Sequence, residues 1–417
     1  MAFSPRAETE VDPTPRQEVS RLAALPEVQA AFAWFRANEA RLARWQMEMA
    51  GIPAPPFGEA PRGEWLAARF RELGLEDVHR DEVGNVLGVH PGAGGKHVAL
   101  SAHIDTVFPA NTPLQIRQQG NKLFGPGVSD NGAGVAAMLA VASVLREAGI
   151  ANARPLLFIG NVGEEGEGDL RGMRHIFSQP GWQDGITCTL VLDGAGTDTI
   201  VAEALGSRRF EVIVRGPGGH SWSDFGVPNP IVVLGRAIEA FSRTTVPAAP
   251  KTTFNIGVIR GGTSVNSIPE SASMRVDIRS TSRAEMERLE AALRLALDQA
   301  VEAEMQAAHG SGARRVHGIS SEVVVIGSRP AGELDPQARI LQVIRGVDAQ
   351  LENAAQIQRA STDANIPLSL GREAIAIGGG GRGGGAHTLQ EWFDCSGREL
   401  GLKRILLVLL ALTGVSK

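Results

Sequence analysis

Tyrosine is absent from the 417 residues, and cysteine occurs only twice, at Cys188 and Cys395. Without a phenol, catalytic proton transfer must use His, Glu, Asp, Lys or metal-bound water. Two distant cysteines with no CxxC spacing indicate neither a disulfide framework nor a thiolate zinc site, and they fit a reducing cytoplasm. A dominant charge is missing too: 41 Lys plus Arg against 46 Asp plus Glu leaves a net charge of −5. Such a chain offers no basic field to nucleic acid or anionic lipid. The most apolar run, Ile405 to Leu412, is far shorter than the ~20 residues of a bilayer span and reads as a core-facing C-terminal helix. The start, with Arg6, Glu8, Glu10 and Asp12 before any apolar run, lacks the basic-then-apolar order of a secretory signal, so no export is expected.

What is there predicts two domains, because a single core stops growing near ~250 to 300 residues. Residues 1 to about 16 are polar and expected to fray, ahead of helical patterning at Glu18 to Ala50. The chain then alternates. Gly63 to Leu73 and Ala133 to Ala148 read as helices; Val83 to Val89, Val98 to Ala102, Pro155 to Ile159 and Leu190 to Leu192 read as strands. This order predicts an α/β fold with a mostly parallel sheet flanked by helices. From about Gly206 the texture becomes β-α-β-β-α-β: the Phe210/Val212/Val214 alternation, a helix at Ile231 to Phe241, strands at Thr253 to Ile259 and Ala272 to Ile278, a long helix at Ala284 to Ala308, then Glu322 to Ile326. That is the split βαβ pattern of a ferredoxin-like α+β unit. The expected organisation is a catalytic domain in two parts, 1–205 and 329–417, with an inserted domain at 206–328.

Five segments share one plan, in which a short apolar strand runs straight into a polar or acidic residue. They are Val98 to Ala102 into His103-Ile-Asp105, Gly127-Val-Ser into Asp130, Leu157 to Gly163 into Glu164-Glu165, Leu190-Val-Leu into Asp193, and Ala374 to Ile377, then glycines, into His387. Ligands of open α/β sheets bind beyond the carboxyl ends of the strands, so these side chains are placed to converge. Two His with several carboxylates suit zinc, with cobalt or manganese as substitutes. Each segment alone has a plainer reading: a turn for His103-Ile-Asp105, a helix N-cap for Asp130, a solvated loop for Glu164-Glu165, an Asx turn for Asp193, a cap for His387. Five coincidences together are harder to accept than one shared site.

The segments SAHIDTV (101–107), GPGVSDNGAG (125–134), GEEG (163–166), the strand-ending Asp193 and AHTLQE (386–391) resemble, in order and spacing, the co-catalytic di-zinc peptidase family of aminoacylase-1, glutamate carboxypeptidase, succinyl-diaminopimelate desuccinylase and tripeptide aminopeptidase. The resemblance spans nearly the whole chain. It implies a zinc-exopeptidase-like catalytic domain with two Zn2+ and an inserted lid that usually also makes a homodimer. It makes Asp130 the bridging carboxylate, with His103 and Asp193 on one metal and Glu165 and His387 on the other. A bridge of this kind holds two cations about 3.5 to 4 Å apart, so that one water touches both. Asp105 would accept the second N–H of His103, and Glu164 resembles the family's general base, taking the proton of the activated water and passing it to the leaving amine. The resemblance also implies a cis peptide between Asp130 and Asn131.

In the inserted domain, His220 within Gly216-Pro-Gly-Gly-His-Ser-Trp resembles the lid histidine, often supplied by the partner subunit, that stabilises the oxyanion. Asn266 and Arg279 resemble substrate-binding positions, and a guanidinium suits a substrate carboxylate; the plainer reading of Arg279 is a structural pair with Asp277 or a lid carboxylate. Many relatives carry a lysine just after the bridging aspartate, where Asn131-Gly132-Ala133-Gly134 stands here. The glycines at 378, 380 and 383 form a formal GxGxxG, but too little chain follows for the helix, strand and acidic residue of a dinucleotide site. They are expected to permit close approach of backbone to substrate or to the His387 segment. Ser361-Thr-Asp363-Ala-Asn365 resembles tripeptide aminopeptidases and tilts the expected substrate toward short peptides. Deacylation of N-acyl amino acids is the near alternative, and an inactive metal-binding or regulatory homologue is the alternative of a different class.

Overall fold

The computed structural model describes residues 13–310 and 318–416. The chain forms two compact units, one running to Ala204 and resuming at Glu333, the other comprising Leu205–Gly332.

The larger unit is built on a nine-stranded mixed sheet. Its centre is parallel: His97–His103 lies between Leu156–Asn161 and Ile186–Leu192, and Glu373–Ile377 adds to the latter. Its flank Glu76–Arg80 and Val86–His90 is antiparallel, so the sheet is less uniformly parallel than the apolar runs suggest. Both faces are covered, which explains why these strands are apolar throughout. Along Leu156–Asn161 the side chains alternate between two cores: Leu156 and Phe158 join the cluster with Leu100, Leu139 and Leu406, whereas Leu157 and Ile159 face Met173, Ile176 and Phe177. The helices Gly132–Glu147 and Arg398–Thr413 are buried almost all round, because each is sandwiched between the sheet and further helices. Among the described residues, no helix is long and apolar enough to cross a membrane, and both cysteines are buried and free.

The single helical stretch expected at Glu18 to Ala50 is three helices, Pro13–Ala23, Pro26–Ala37 and Glu39–Ala50. Pro26 opens the second, where its missing N–H costs nothing, and Asn38 divides the second from the third. Part of the segment expected to fray is therefore helical from Pro13 onward, and residues 1–12 lie outside the described residues. A small four-stranded sheet was not anticipated: Arg382–Gly384, Trp392–Asp394, Lys122–Phe124 and Arg117–Gln119.

The smaller unit carries Gly206–Arg215, Thr252–Gly261, Ser271–Ser280 and Ser320–Arg329 in one antiparallel sheet, with Thr252–Gly261 and Ser320–Arg329 at its edges. The helices Pro230–Ser242 and Arg283–Gly310 cover one face. Phe210, Val212 and Val214 point into that core with Met274, Ile278, Leu234 and Leu289. The strand order is that of a ferredoxin-like unit.

Candidate metal centre

Three neighbouring parallel strands end together. His103 is the last residue of its strand, Glu164 and Glu165 follow Leu156–Asn161, and Asp193 follows Ile186–Leu192. Asp130 arrives differently. The segment Gly127–Ser129 is a turn and not a strand, because Gly125 and Gly127 take positive φ angles that no strand uses. The Asp130–Asn131 peptide is cis. Asn131, not Asp130, caps the helix Gly132–Glu147, its Oδ1 accepting from Gly134 N at 3.2 Å. The same side chain donates from Nδ2 to Leu192 O at 2.8 Å and accepts from Gly194 N at 3.1 Å, tying the loop of Asp130 to that of Asp193.

The carboxylate of Asp130 divides its two oxygens between two imidazoles: Oδ1 is 3.1 Å from His103 Nε2, and Oδ2 is 3.0 Å from His387 Nε2. Asp193 Oδ1 lies 3.9 Å from His103 Nε2, and Glu165 Oε1 lies 3.0 Å from His387 Nε2. The residues thus form two overlapping triads, His103/Asp130/Asp193 and Asp130/Glu165/His387, each with ligand atoms all within 4.8 Å of one another. Glu164 joins His103 and Glu165 in a third group of the same compactness. Two triads of nitrogen and oxygen donors sharing one carboxylate fit a pair of divalent cations, each with coordination positions left for water or substrate.

The electrostatics match that fit. Burial disfavours the His103 imidazolium, yet hydrogen bonds and charge from Asp105 and Asp130 outweigh it and hold its pKa well above the ordinary value. The bond to Asp130 lifts His387 to about 9. Burial pushes Glu165 up to about 7. For Asp130 burial is again opposed, and the two imidazoles win, holding its carboxyl well below the usual range. Without metal the site retains protons it would not otherwise hold, which is the behaviour of a negatively charged pocket built for cations.

The supports of these ligands were only partly anticipated. His103 Nδ1 faces the backbone carbonyl of Asp105 at 3.2 Å, while the Asp105 carboxylate stands 3.6 Å away. That carboxylate, whose charge and contact with the imidazole raise the pKa of His103, also accepts from Glu164 N at 3.0 Å and Glu165 N at 2.8 Å. A donor role for Nδ1 leaves Nε2 to face the metal position. Glu391, the last residue of AHTLQE, is a support that the motif itself does not reveal. Its Oε1 accepts from Ser129 N and Asp130 N, and its Oε2 from Gly127 N, each at 2.7 Å. Arg62, fully buried, donates to Ile104 O at 2.8 Å, and burial lowers its pKa to about 10. Asp363, equally buried, accepts from Asn161 Nδ2 at 2.6 Å, and burial pushes it up to about 7.

The glycines before His387 serve the protein's own packing. A Cβ on Gly378 would stand 2.3 Å from Ala195 O, and one on Gly379 would stand 2.6 Å from Ala133 O. The close approach at these two positions is backbone to backbone, whereas at Gly385 it is to the His387 segment as expected, a Cβ there standing 3.0 Å from Gln390 O.

His220, Asn266 and Arg279 belong to the smaller unit. His220 and Ser267 face each other in a two-residue ribbon, and Ser221 N donates to Asn266 O at 3.0 Å. His220 Nδ1 accepts from Trp222 N at 3.2 Å, which leaves the proton on Nε2. Arg279 donates from Nε to Asp277 Oδ2 at 2.8 Å, the pairing weighed against substrate binding.

Residues 99–411 match peptidase family M20/M25/M40. Carboxypeptidase G2 of Pseudomonas sp. (strain RS-16) is 26% identical over 235 residues, covering 53% of this chain and 55% of its own. Succinyl-diaminopimelate desuccinylase of Acidiphilium cryptum (strain JF-5) is 29% identical over 304 residues, covering 69% of this chain and 77% of its own. The chain thus spans about half the length of carboxypeptidase G2 and a third of the YgeY protein of Escherichia coli (strain K12), which it matches over 33%. The crystal structure of aminopeptidase PepT from Bacillus cereus ATCC 10987 has a TM-score of 0.71 at 21% identity, covering 90% of this chain and 99% of that one. At such identity the likeness establishes the fold.

Proposed function

The chain belongs to peptidase family M20/M25/M40, and from that premise we propose that it is a two-zinc exopeptidase hydrolysing the amide bonds of short peptides. The observation that carries this reading is the split of Asp130 between His103 and His387 at 3.1 and 3.0 Å. On this reading His103, Asp130 and Asp193 would hold one cation and Asp130, Glu165 and His387 the other. When bound, the pair would supply a water acidic enough to ionise near neutral pH and a Lewis acid for the scissile carbonyl.

The protein's own groups do the rest. Glu164 is the general base: its backbone is pinned by Asp105, its side chain is buried, and a carboxylate oxygen lies within 4.8 Å of ligand atoms of His103 and Glu165. It takes the proton of the attacking water and returns it to the leaving amine. Glu165 is the ligand of the pair because its Oε1 shares His387 Nε2 with Asp130 Oδ2. His220, protonated on Nε2, supplies a hydrogen bond to the oxyanion. Asn266 and Arg279 bind substrate, Arg279 by releasing Asp277 or sharing its guanidinium.

The reading includes a homodimer through the smaller domain. Trp222 and Phe225, exposed by 87% and 81% just after His220, and Val265, exposed by 103% beside Asn266, are the kind of apolar surface that marks an interaction site. It also includes a reducing cytoplasmic setting, which the free cysteines suit. Deacylation of N-acyl amino acids is the second reading, favoured by the desuccinylase among the relatives. An inactive homologue would have no physical use for a full ligand set with Glu164 beside it.

Tripeptides, dipeptides and N-acetyl amino acids assayed with and without a chelator test this proposal. Chelator-sensitive release of amino acid from peptides is expected; turnover of N-acetyl substrates alone would favour the second reading, and no turnover of any would refute both.

A further inference from the structure

A cleft of about 740 Å³ opens within the larger unit, lined by Asp130 and Asp193 and also by Arg382 and Trp392. Arg382 is the only base among its lining residues. It begins the strand Arg382–Gly384, opposite Asp394, with Gly384 opposite Trp392. Opposed residues share a face of a sheet. On the next strand Phe124 stands opposite Trp392 and Lys122 opposite Asp394. Arg382, Trp392 and Lys122 therefore lie on one face, while Phe393 and Leu123 are buried on the other.

This face has the chemistry of an anion site. Lys122 Nζ lies 5.3 Å from the centroid of the Trp392 ring. The ring itself lies close against Gly384, where a Cβ would come within 2.9 Å. Asp394, on the same face between Arg382 and Lys122, accepts from Ser396 N at 2.9 Å and also feels the charges of both cations, one carboxylate against two bases. Arg382 is exposed, and its guanidinium makes no side-chain hydrogen bond or close ion pair among the described residues, although its charge acts on Asp394 across the ladder. The third carboxylate lining the cleft beside Asp130 and Asp193, that of Asp198, has Oδ1 only 3.0 Å from where a Cβ on Gly196 would stand, so it folds back over its own loop. A guanidinium with no close ion pair at the rim of a cleft, next to an indole and a second cation that share a single carboxylate with it, has the capacity to meet a further anion there.

We propose that Arg382, with Trp392 and Lys122 beside it, is a carboxylate-recognition subsite that makes the enzyme selective for substrates carrying an acidic group away from the scissile amide. Arg382 forms the bidentate pair, Trp392 packs on the adjoining methylenes, and Lys122 adds charge. The claim of selectivity rests on the amide-hydrolase reading above; the anion subsite itself does not.

Two measurements separate them. In the first, peptide pairs differing only by Glu for Gln are hydrolysed by wild type, Arg382→Ala and Arg382→Lys. Wild type is expected to favour Glu at one position by about 10- to 100-fold in kcat/KM, the range of a charge-assisted hydrogen bond. Arg382→Ala should lose that preference through KM with kcat little changed, and Arg382→Lys should restore part of it. In the second, calorimetry follows glutarate binding to the same three proteins as purified. Wild type should bind, and Arg382→Ala should bind at least about tenfold more weakly. Arg382-dependent glutarate binding without hydrolysis of any peptide would sink the amide-hydrolase reading and leave the subsite standing. Hydrolysis with a Glu/Gln ratio and glutarate binding untouched by Arg382→Ala, or no glutarate binding by wild type, would overturn the subsite.

Discussion

Glu391 Oε1 accepts the backbone N–H of Asp130 at 2.7 Å, so a carboxylate more than 260 residues away in sequence fixes the residue on which both metal positions depend. With Gly127 and Ser129 also donating to it, Glu391 holds the whole loop by hydrogen bonds that only an ionised carboxylate can accept in full. Replacing it by glutamine sets an amide N–H2 against backbone N–H groups. Glu391→Gln is expected to weaken metal binding by about 10- to 100-fold, as losses of outer supports typically do. Chelator-competition titration measures it, and an unchanged metal affinity would remove Glu391 from this role.

Glu164→Gln keeps shape and removes the base. The kcat should fall by about 10²- to 10⁴-fold, with metal content per chain unchanged. Retention of most of the wild-type kcat would exclude Glu164 as the proton acceptor.

His220→Ala should lower kcat by about 10²- to 10³-fold, the usual effect of losing one oxyanion donor, again without loss of metal. If light scattering finds a monomer that is nonetheless fully active, the homodimer and any role for the partner's His220 fall together.

The metal-free protein should have a distinctive pH dependence. Folding raises His103 well above 6.5, His387 from 6.5 to about 9, Glu165 from 4.5 to about 7 and Asp363 from 3.8 to about 7. The folded chain then holds protons that the unfolded chain has released. The stability these groups bring is complete below their unfolded values and is lost as pH rises through the folded ones. Asp105 and Asp130 run the other way, with depressed values whose contribution is lost only in acid, below about 3.8. Between pH 5 and about 9 the Tm of the chelated protein should therefore fall, while metal, which competes with the same protons, should stabilise more as pH rises. A chelated Tm that is flat or rising across this range would contradict the assignment of the site.

Much of the fold was legible because its strands and helices carry strong periodic signals. Phe210, Val212 and Val214 alternate in sequence and fill the core of the smaller unit, and Leu156 to Ile159 is apolar without a break because each side of that strand meets a different core. Asp130 shows where such reading stops. Val128 is apolar because it is buried in a turn beside Leu123 and Phe393, and an apolar residue beside glycines does not distinguish a turn from a strand. Asp105 and Glu391 were visible as acids, but their partners are backbone N–H groups, which every residue but proline carries and no pattern marks. Gly378 and Gly379 answer to the backbones of Ala195 and Ala133, contacts too distant in sequence for any local signal.

The most direct test of the whole account is metal stoichiometry measured alongside activity, in wild type and in Asp130→Ala. Two metals per wild-type chain, hydrolysis abolished by chelator and restored by zinc, and loss of both metals in Asp130→Ala are expected, since that residue serves both triads. Fewer than one metal per wild-type chain together with hydrolysis indifferent to chelator would contradict it.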